Sequence, residues 1–467
     1  MDEQEVNVMQ MAAARERRVQ KQLEMLCENP AASLLCFTMN IAGPVKRTAL
    51  ITRAFFRACK EIEMQFCRVK TKVLSKTVIN EKTGLEAFFA VSMPPKELKM
   101  LALELENYGE VGRLYDMDVL FLDGGEKIAS LSDAMKRIRK IERGELGFDE
   151  RKCLICGKSA KECTSRRIHS VPELQKATAC ILKSALNDAD CTAIASLAVR
   201  SLLYEVNTTP KPGLVDRTNN GSHKDMDIFT FMNSSAALYR YFEQCAKAGM
   251  ETRAQPAPFL FSSIKDAAKA AERAMFFATG GVNTHKGAIF TLGILCAAIS
   301  RVGFERRKDS GAILAECAAM TAGITERDFA GLTAENARTA GQKLYVHYGI
   351  KGVRGEAEAG FPAVKSALCV LESLLAQGFS ANDAGRITLL HIIANLDDTA
   401  MISRSDVETQ KLYAQKAEKL ISGSRVPSLS ELEALDRAFI EKNLSPGGSA
   451  DLLSLCWMLH FVKTEAI

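Results

Sequence analysis

The sequence contains no apolar run long enough to cross a bilayer. Its longest, Gly287 to Ser300, stops at Arg301, well short of the roughly 20 residues a spanning helix needs. It also has no basic-then-apolar leader, since Met1-Asp2-Glu3-Gln4-Glu5 is acidic. These two absences predict a cytoplasmic protein with no membrane partner. Charge of one sign is scarce: 61 Lys and Arg against 56 Asp and Glu leave a net +5 over 467 residues. That surplus is too small for a polyanion-binding field, so any basic site is local. No internal repeat and no long low-complexity tract occurs, which excludes solenoids and arrays. Whole-chain disorder is excluded too, because 47% apolar and 25% charged residues is an ordinary globular balance.

What is present is length and cysteine. At roughly 150 residues per domain the chain holds about three domains, or two of unequal size. Its 14 cysteines, in a chain with no leader, read as thiols or metal ligands rather than disulfides. Texture divides the sequence near residue 175. Before that point Ser33 to Asn40 predicts a strand, Leu50 to Gln65 a helix, and Phe66 to Ile79, Glu86 to Ser92 and Gly112 to Leu122 further strands, the last closed by Asp123-Gly124-Gly125. This alternation predicts an α+β domain around a mixed sheet. After it, Ala177 to Tyr204, Ile264 to Phe277, Lys286 to Ile299 and Ala384 to Leu396 predict a larger all-α domain. The division is therefore 1–175 and 176–467. Four Gly/Pro/Asn-rich breaks punctuate the helices: Pro210 to Gly213, Gly280 to Asn283, Gly349 to Gly360 and Ser445 to Gly448. Each carries charged side chains in or just after it, which suggests a shared cleft rather than simple helix ends.

In the first half, Asp116 and Asp118 are two apart on a predicted strand, so their carboxylates share one face, roughly 7 Å apart at Cα. Hard oxygen ligands at that spacing suit Mg²⁺ on a triphosphate and point to a nucleotidyltransferase-like domain. A strand with one solvated face gives the same pattern. Arg113 is a candidate phosphate clamp. Next come Cys153, Cys156, Cys163 and His169, whose spacing fits a closed, structural Cys3His zinc site. Chance spacing among 14 cysteines is the other reading. Arg166-Arg167 beside the cluster also admits a zinc-knuckle nucleic-acid binder, although no aromatic stacking residue is near.

The second half concentrates donors and carboxylates in its breaks. Thr208, Thr209 and Lys211 can hold phosphates, and His223, Asp225 and Asp227 offer metal ligation or proton transfer. Asn283, Thr284, His285 and Lys286 lead into an apolar helix, where Asn283 or Thr284 would cap and the free N–H groups would face an anion. Asp397 and Asp398 end another apolar helix. Two carboxylates there oppose the helix dipole, which is tolerable where a cation such as Mg²⁺ lies, or at a solvated end. Arg354, Glu356, Ser445, Gly447 and Gly448 complete the set. His391, within Leu389-Leu390-His391-Ile392, reads as a satisfied core residue.

These motifs, in this order, resemble a known family. The helical half is similar to triphosphoribosyl-dephospho-CoA synthases through Thr209 to Asp216, His223 to Asp227, Asn283 to Gly287, Gly352 to Glu356, Asp397 to Thr399 and Ser445 to Asp451. The first half resembles apo-citrate lyase phosphoribosyl-dephospho-CoA transferases through Asn40 to Lys46, Gly84 to Ala87, Gly112-Arg113, Asp116 and Asp118, and the cysteine segment ending Arg166-Arg167-Ile168-His169. Ala42 departs from the proline expected there, and Lys127 to Lys152 is longer and more basic than usual, its role open. The resemblance implies that ATP and 3′-dephospho-CoA are joined with loss of adenine. The product is then transferred to a serine of the citrate lyase acyl carrier (gamma) subunit with loss of pyrophosphate. Displacing adenine calls for a carboxylate and an acid, from Asp225, Asp227, Glu356, Asp397 and Asp398, while Mg²⁺ and Lys211, Lys286 and Arg354 neutralise the triphosphate. The same prosthetic group serves malonate decarboxylase, which is the nearer alternative, and the nucleic-acid binder is the more distant one.

Overall fold

A computed structural model describes residues 4–124, 131–424 and 426–465. Met1 to Glu3, Gly125 and residues 127–130 of the basic stretch lie outside the described residues. The chain forms two compact units, Met1–Leu186 and Asn187–Ile467, dividing within the long helix Val171–Asn207.

The first unit is built on a five-stranded sheet in the order β2-β3-β1-β4-β5, from β1 (Ser33–Met39), β2 (Val73–Glu81), β3 (Gly84–Val91), β4 (Tyr115–Leu122) and β5 (Ile138–Lys140). Every pairing is antiparallel, so the expected mixed sheet is corrected. The reason is connectivity: β2 and β3 are joined by a tight hairpin, while the helical connections from β1 to β2 and from β3 to β4 each carry the chain past one intervening strand, which is left antiparallel to both of its neighbours. Helix Ala49–Arg68 starts where Thr48 Oγ1 accepts from Ile51 N at 3.1 Å. It buries Ile51, Phe55, Ile62 and Phe66 at helical spacing, and Phe55 stacks on Phe37 of β1 with ring centroids 4.9 Å apart. Cutting Phe55 to Ala would cost about 3–5 kcal/mol. Phe66 was expected to begin a strand. It lies four residues after Ile62, on the same buried stripe, so the helix runs on to Arg68 and the strand begins only at Val73. Gly112 likewise closes a helical turn, Gly109–Gly112, and β4 begins at Tyr115. Along β4 the buried Tyr115, Met117 and Val119 alternate with half-exposed Asp116 and Asp118, the period of two that places both carboxylates on one face.

Among the described residues the second unit contains no named strand. Its centre is helix Lys286–Val302, buried continuously from Thr291 to Ser300, against which Tyr239–Glu251, Ser310–Thr321 and Gly447–Thr464 pack. A helix apolar all round is a core helix. No single described helix is long and apolar enough to cross a membrane. The one bent pair of suitable composition, Gly352–Glu358 with Pro362–Ala376, buries Val364, Ala367, Leu368 and Leu371 in the protein core. The helices predicted over Ala177 to Tyr204, Ile264 to Phe277, Lys286 to Ile299 and Ala384 to Leu396 appear as Val171–Asn207, Lys265–Ala278, Lys286–Val302 and Ala381–Asn395. The break at Gly349 to Gly360 is not wholly loop, since Gly352–Glu358 is helical.

Candidate functional site

In the first unit Asp116 and Asp118 open into a cavity of about 840 Å³. Two cations reach them: Lys140 Nζ lies 2.9 Å from Asp118, and Arg151 Nη2 lies 3.1 Å from Asp116 and 2.5 Å from Glu106. Both come from the basic segment whose role the sequence leaves open. Burial works against the Lys140 charge, but the hydrogen bond and field of Asp118 hold the ammonium above its usual range. Behind the pair, the stretch of β4 that β5 does not cover is closed by side chains. Glu106 Oε1 accepts from Met117 N at 2.9 Å, and Lys99 Nζ donates to the Met117 carbonyl at 2.7 Å. Burial raises Glu106 and lowers Lys99, the expected response of charges drawn from water. Arg113, expected as a phosphate clamp, is turned elsewhere. It pairs with Glu110 at 2.6 Å and donates to the Cys153 carbonyl at 2.8 Å, because it sits on the turn before β4 rather than on its carboxylate face. Arg151 takes the place beside the aspartates.

The cysteine cluster belongs to the same unit. Ligand atoms of Cys153, Cys156, Cys163 and His169 all lie within 4.8 Å of one another.

In the second unit several motif loops converge. Asp216 organises the first: its carboxylate accepts from Thr209 Oγ1 at 2.6 Å and from the backbone of Lys211, Thr218 and Asn219. Lys211 is fully buried against Glu205. Loop 208–227 meets the start of helix Gly447–Thr464 where His223 Nε2 lies 2.8 Å from Ser445 Oγ. Arg404 approaches His223 Nδ1 at 3.2 Å, and a guanidinium only donates, so Nδ1 accepts and Nε2–H donates to the serine. Burial and then Arg404 lower the His223 pKa, consistent with that neutral imidazole. Asp398 ties two helix starts together: it accepts from Ala400 and Met401 backbone N–H groups on its own side and from the Gly448 and Ser449 backbone N–H groups and Ser449 Oγ of helix Gly447–Thr464. It is the N-cap of helix Thr399–Arg404, not the end of the preceding helix. The helix-dipole conflict expected there does not exist, because a carboxylate at an N-terminus is favoured.

Neither Asn283 nor Thr284 caps helix Lys286–Val302; its N-cap is His285, without a side-chain cap bond. Instead the Asp451 carboxylate accepts from Ala288 N, which places a protein anion at this helix start. Gly287 is required by that contact, since a Cβ there would lie 1.8 Å from Asp451 Oδ2. Thr284 Oγ1 donates to Ser234 Oγ, whose hydroxyl also pairs with His285 Nδ1 at 2.7 Å. His285 Nε2 is buried without a hydrogen-bond partner, and burial with Lys211 nearby lowers its pKa to about 3. Burial likewise raises Glu205, Asp398 and Asp451.

The other expected residues lie apart from this junction. Asp227 caps helix Ile228–Ala237 through Thr230, Asp225 is exposed, and Lys286 pairs with Glu272 at 3.1 Å. Arg354 pairs with Asp328 at 2.6 Å. Glu356 and Asp397 share a second cleft of about 580 Å³, where burial raises the Glu356 pKa. Thr208 bonds back to the Tyr204 carbonyl, Asn283 is exposed, and Gly447 opens helix Gly447–Thr464. His391 pairs with Ser366 at 2.9 Å. Sequence reasoning did not single out Lys140, Arg151, Glu106, Glu205 or Asp451. Only Asp451 had a signal, as the last residue of a quoted motif.

Comparison with known proteins matches the two units to different models. Residues 6–185 match the family of apo-citrate lyase phosphoribosyl-dephospho-CoA transferases, and residues 191–466 the ATP:dephospho-CoA triphosphoribosyl transferases. A protein named CitXG from Leuconostoc mesenteroides subsp. cremoris is 34% identical over 463 residues, covering 96% of both chains. Another CitXG, from Haemophilus influenzae, is 32% identical over 454 residues, 95% of this chain and 93% of its own. A 2-(5″-triphosphoribosyl)-3′-dephosphocoenzyme-A synthase of Escherichia fergusonii is 39% identical over 278 residues, 58% of this chain and 92% of its own. The first model names citrate lyase, so the malonate decarboxylase and nucleic-acid alternatives are set aside. Matched in both halves and from end to end, the chain belongs to the family of fused transferases that unite triphosphoribosyl-dephospho-CoA synthesis with prosthetic-group transfer to apo-citrate lyase.

Proposed function

We propose that the chain builds and attaches the citrate lyase prosthetic group, with one step in each unit. In the second unit a hydroxyl of 3′-dephospho-CoA attacks the ribose carbon of ATP that carries adenine. The carbon–nitrogen bond breaks, and adenine leaves protonated, giving 2′-(5″-triphosphoribosyl)-3′-dephospho-CoA. In the first unit, a nucleotidyltransferase in chemistry and fold, a serine hydroxyl of the acyl carrier (gamma) subunit attacks the phosphorus nearest the ribose. The bond to the next phosphate breaks and pyrophosphate departs.

One observation carries this reading: Asp116 and Asp118 face one cavity from one strand, with Lys140 and Arg151 beside them. The two carboxylates are half exposed hard-oxygen donors, which fits Mg²⁺. A magnesium ion held there would neutralise charge on the departing pyrophosphate. Lys140 and Arg151 meet the remaining phosphate charge and orient the substrate. In the second unit, burial raises the Glu356 carboxyl, the direction that suits a proton donor to the departing adenine, and Asp397 across the cleft takes the proton of the acceptor hydroxyl. Asp397 would also be the magnesium ligand there, because the oxygens of Asp398 already accept five hydrogen bonds. His223, the unpartnered His285 Nε2 and residues 445–448 at the start of helix Gly447–Thr464 hold the triphosphate, Lys211 braces their loop from its buried pair with Glu205, and Asp227 and Asp398 hold the segments that present them. The enzyme works in the cytoplasm, where ATP, dephospho-CoA and the carrier meet.

The test is mass analysis of the apo carrier after incubation with the chain, ATP, Mg²⁺ and dephospho-CoA. The carrier should gain one phosphoribosyl-dephospho-CoA group for each adenine released. Adenine release with an unmodified carrier removes the second step, and no adenine removes the first.

A further inference from the structure

The cysteine segment makes a built metal site whose backbone already has the shape of a zinc knuckle. Cys153 N donates to the Lys158 carbonyl at 2.7 Å and Gly157 N to the Cys153 carbonyl at 3.2 Å, closing a tight turn with Lys152 bridged to Ser159. Gly157 takes φ +72, a left-handed conformation that lets the chain turn back directly after Cys156. Cys163, on the short helix Ala160–Ser165, brings its Sγ to 3.4 Å from Cys156 Sγ. That is far longer than a disulfide bond of about 2.05 Å. It is near the separation of about 3.8 Å between two sulfurs that each lie about 2.3 Å from a tetrahedral ion. His169 supplies the fourth corner, and its Nε2 is buried with no hydrogen-bond partner. A buried ring nitrogen without a partner costs free energy that a metal bond would offset.

The same loop forms one wall of the Asp116/Asp118 cavity. Arg151, two residues before Cys153, has its carbonyl bonded by Ala160 N at 2.8 Å, and Ala160, Thr164 and Ser165 line the cavity. Arg113, just before β4, grips the Cys153 carbonyl. We propose that Cys153, Cys156, Cys163 and His169 bind one structural zinc ion, and that this zinc fixes the wall that holds Arg151 against Asp116. Three thiolates and an imidazole select zinc, and four protein ligands leave it no open position, so it is a scaffold and not a reactant. Arg151 is thus placed by the metal loop, and the loop residues are positioning residues.

The metal readout is independent of the assigned activities, whereas the loading readout rests on assigning carrier loading to the first unit. Full-length chain purified without chelator should contain about one zinc, and cobalt in its place should show thiolate charge-transfer absorption and tetrahedral ligand-field bands. Cys156→Ser and His169→Ala should lose the metal, while His169→Cys should keep it. Stripping the zinc should lower carrier loading from preformed triphosphoribosyl-dephospho-CoA tenfold or more, restored by added zinc, and leave adenine release within twofold. Metal-free protein whose stability does not respond to zinc overturns the site. So does a mass lower by the hydrogens of one disulfide. Bound zinc whose removal leaves loading unchanged overturns the wall.

Discussion

The two units use carboxylates in opposite ways. On β4 of the first, Asp116 and Asp118 remain half exposed, each paired with a cation at the edge of an open cavity. In the second, Asp216 and Asp398 are buried and spend their oxygens on backbone N–H groups, while Glu205 is buried against Lys211. An exposed carboxylate can exchange a lysine for a metal at little cost, whereas a buried one that satisfies several donors is committed to holding loops. A dense motif of aspartates therefore does not mark a metal site by itself. Where each oxygen is already bonded decides between ligand and scaffold.

This contrast is sharpened first at Glu356, whose carboxyl burial raises and which is proposed as the acid of the second unit. Glu356→Gln keeps the shape and removes the proton donor, so adenine release should fall by roughly 10²–10⁴-fold. Loading from the preformed intermediate should not change. A rate assay with both readouts checks this, and an unaltered adenine rate would assign the acid elsewhere.

The scaffold side of the comparison is broken next at Lys211. Lys211→Met leaves Glu205 buried without its partner and should cost about 3–5 kcal/mol, seen as a lower urea midpoint of the second unit. Adding Glu205→Leu should restore most of that loss, because a packed apolar pair replaces a buried ionic one. A single variant as stable as wild type would mean the pair is not a structural support.

The smallest effect is a pH dependence. The folded His285 value, about 3, lies below its ordinary 6.5, so the unfolded chain binds the extra proton between those limits. This contribution to stability is complete above pH 6.5 and is lost as pH falls, by about 2 kcal/mol at pH 5. Glu205, Asp398 and Asp451, raised by burial, act in the opposite direction. The difference between wild type and His285→Gln in urea titrations at pH 7 and 5 isolates the histidine, and equal slopes would contradict it.

How much of this could be read from the sequence follows from range. The paired aspartates were legible because alternation on a strand is local, and the cysteine cluster because its ligands lie within one short segment. The switch at Phe66 was not, since an apolar residue at a boundary fits both a helix stripe and a strand until its buried neighbours are known. Asp398 was misplaced because the apolar run before it dominates the pattern, although Asp398 followed by Thr399 is also an N-cap signal. Lys140 and Arg151 had no local signal. They reach the aspartates only because three-residue β5 pairs with the far end of β4 and the cysteine turn returns the chain to it.

The most direct test of the central claim, that the exposed aspartate pair serves transfer and the second unit serves synthesis, is to assay Asp116→Asn and Asp118→Asn in both reactions. Each variant keeps its shape and loses one negative ligand. Loading of the apo carrier from preformed triphosphoribosyl-dephospho-CoA should fall by roughly 10²–10³-fold, about the cost of one preorganised charged group, with adenine release near wild type. Loss of adenine release with carrier loading intact would contradict the account.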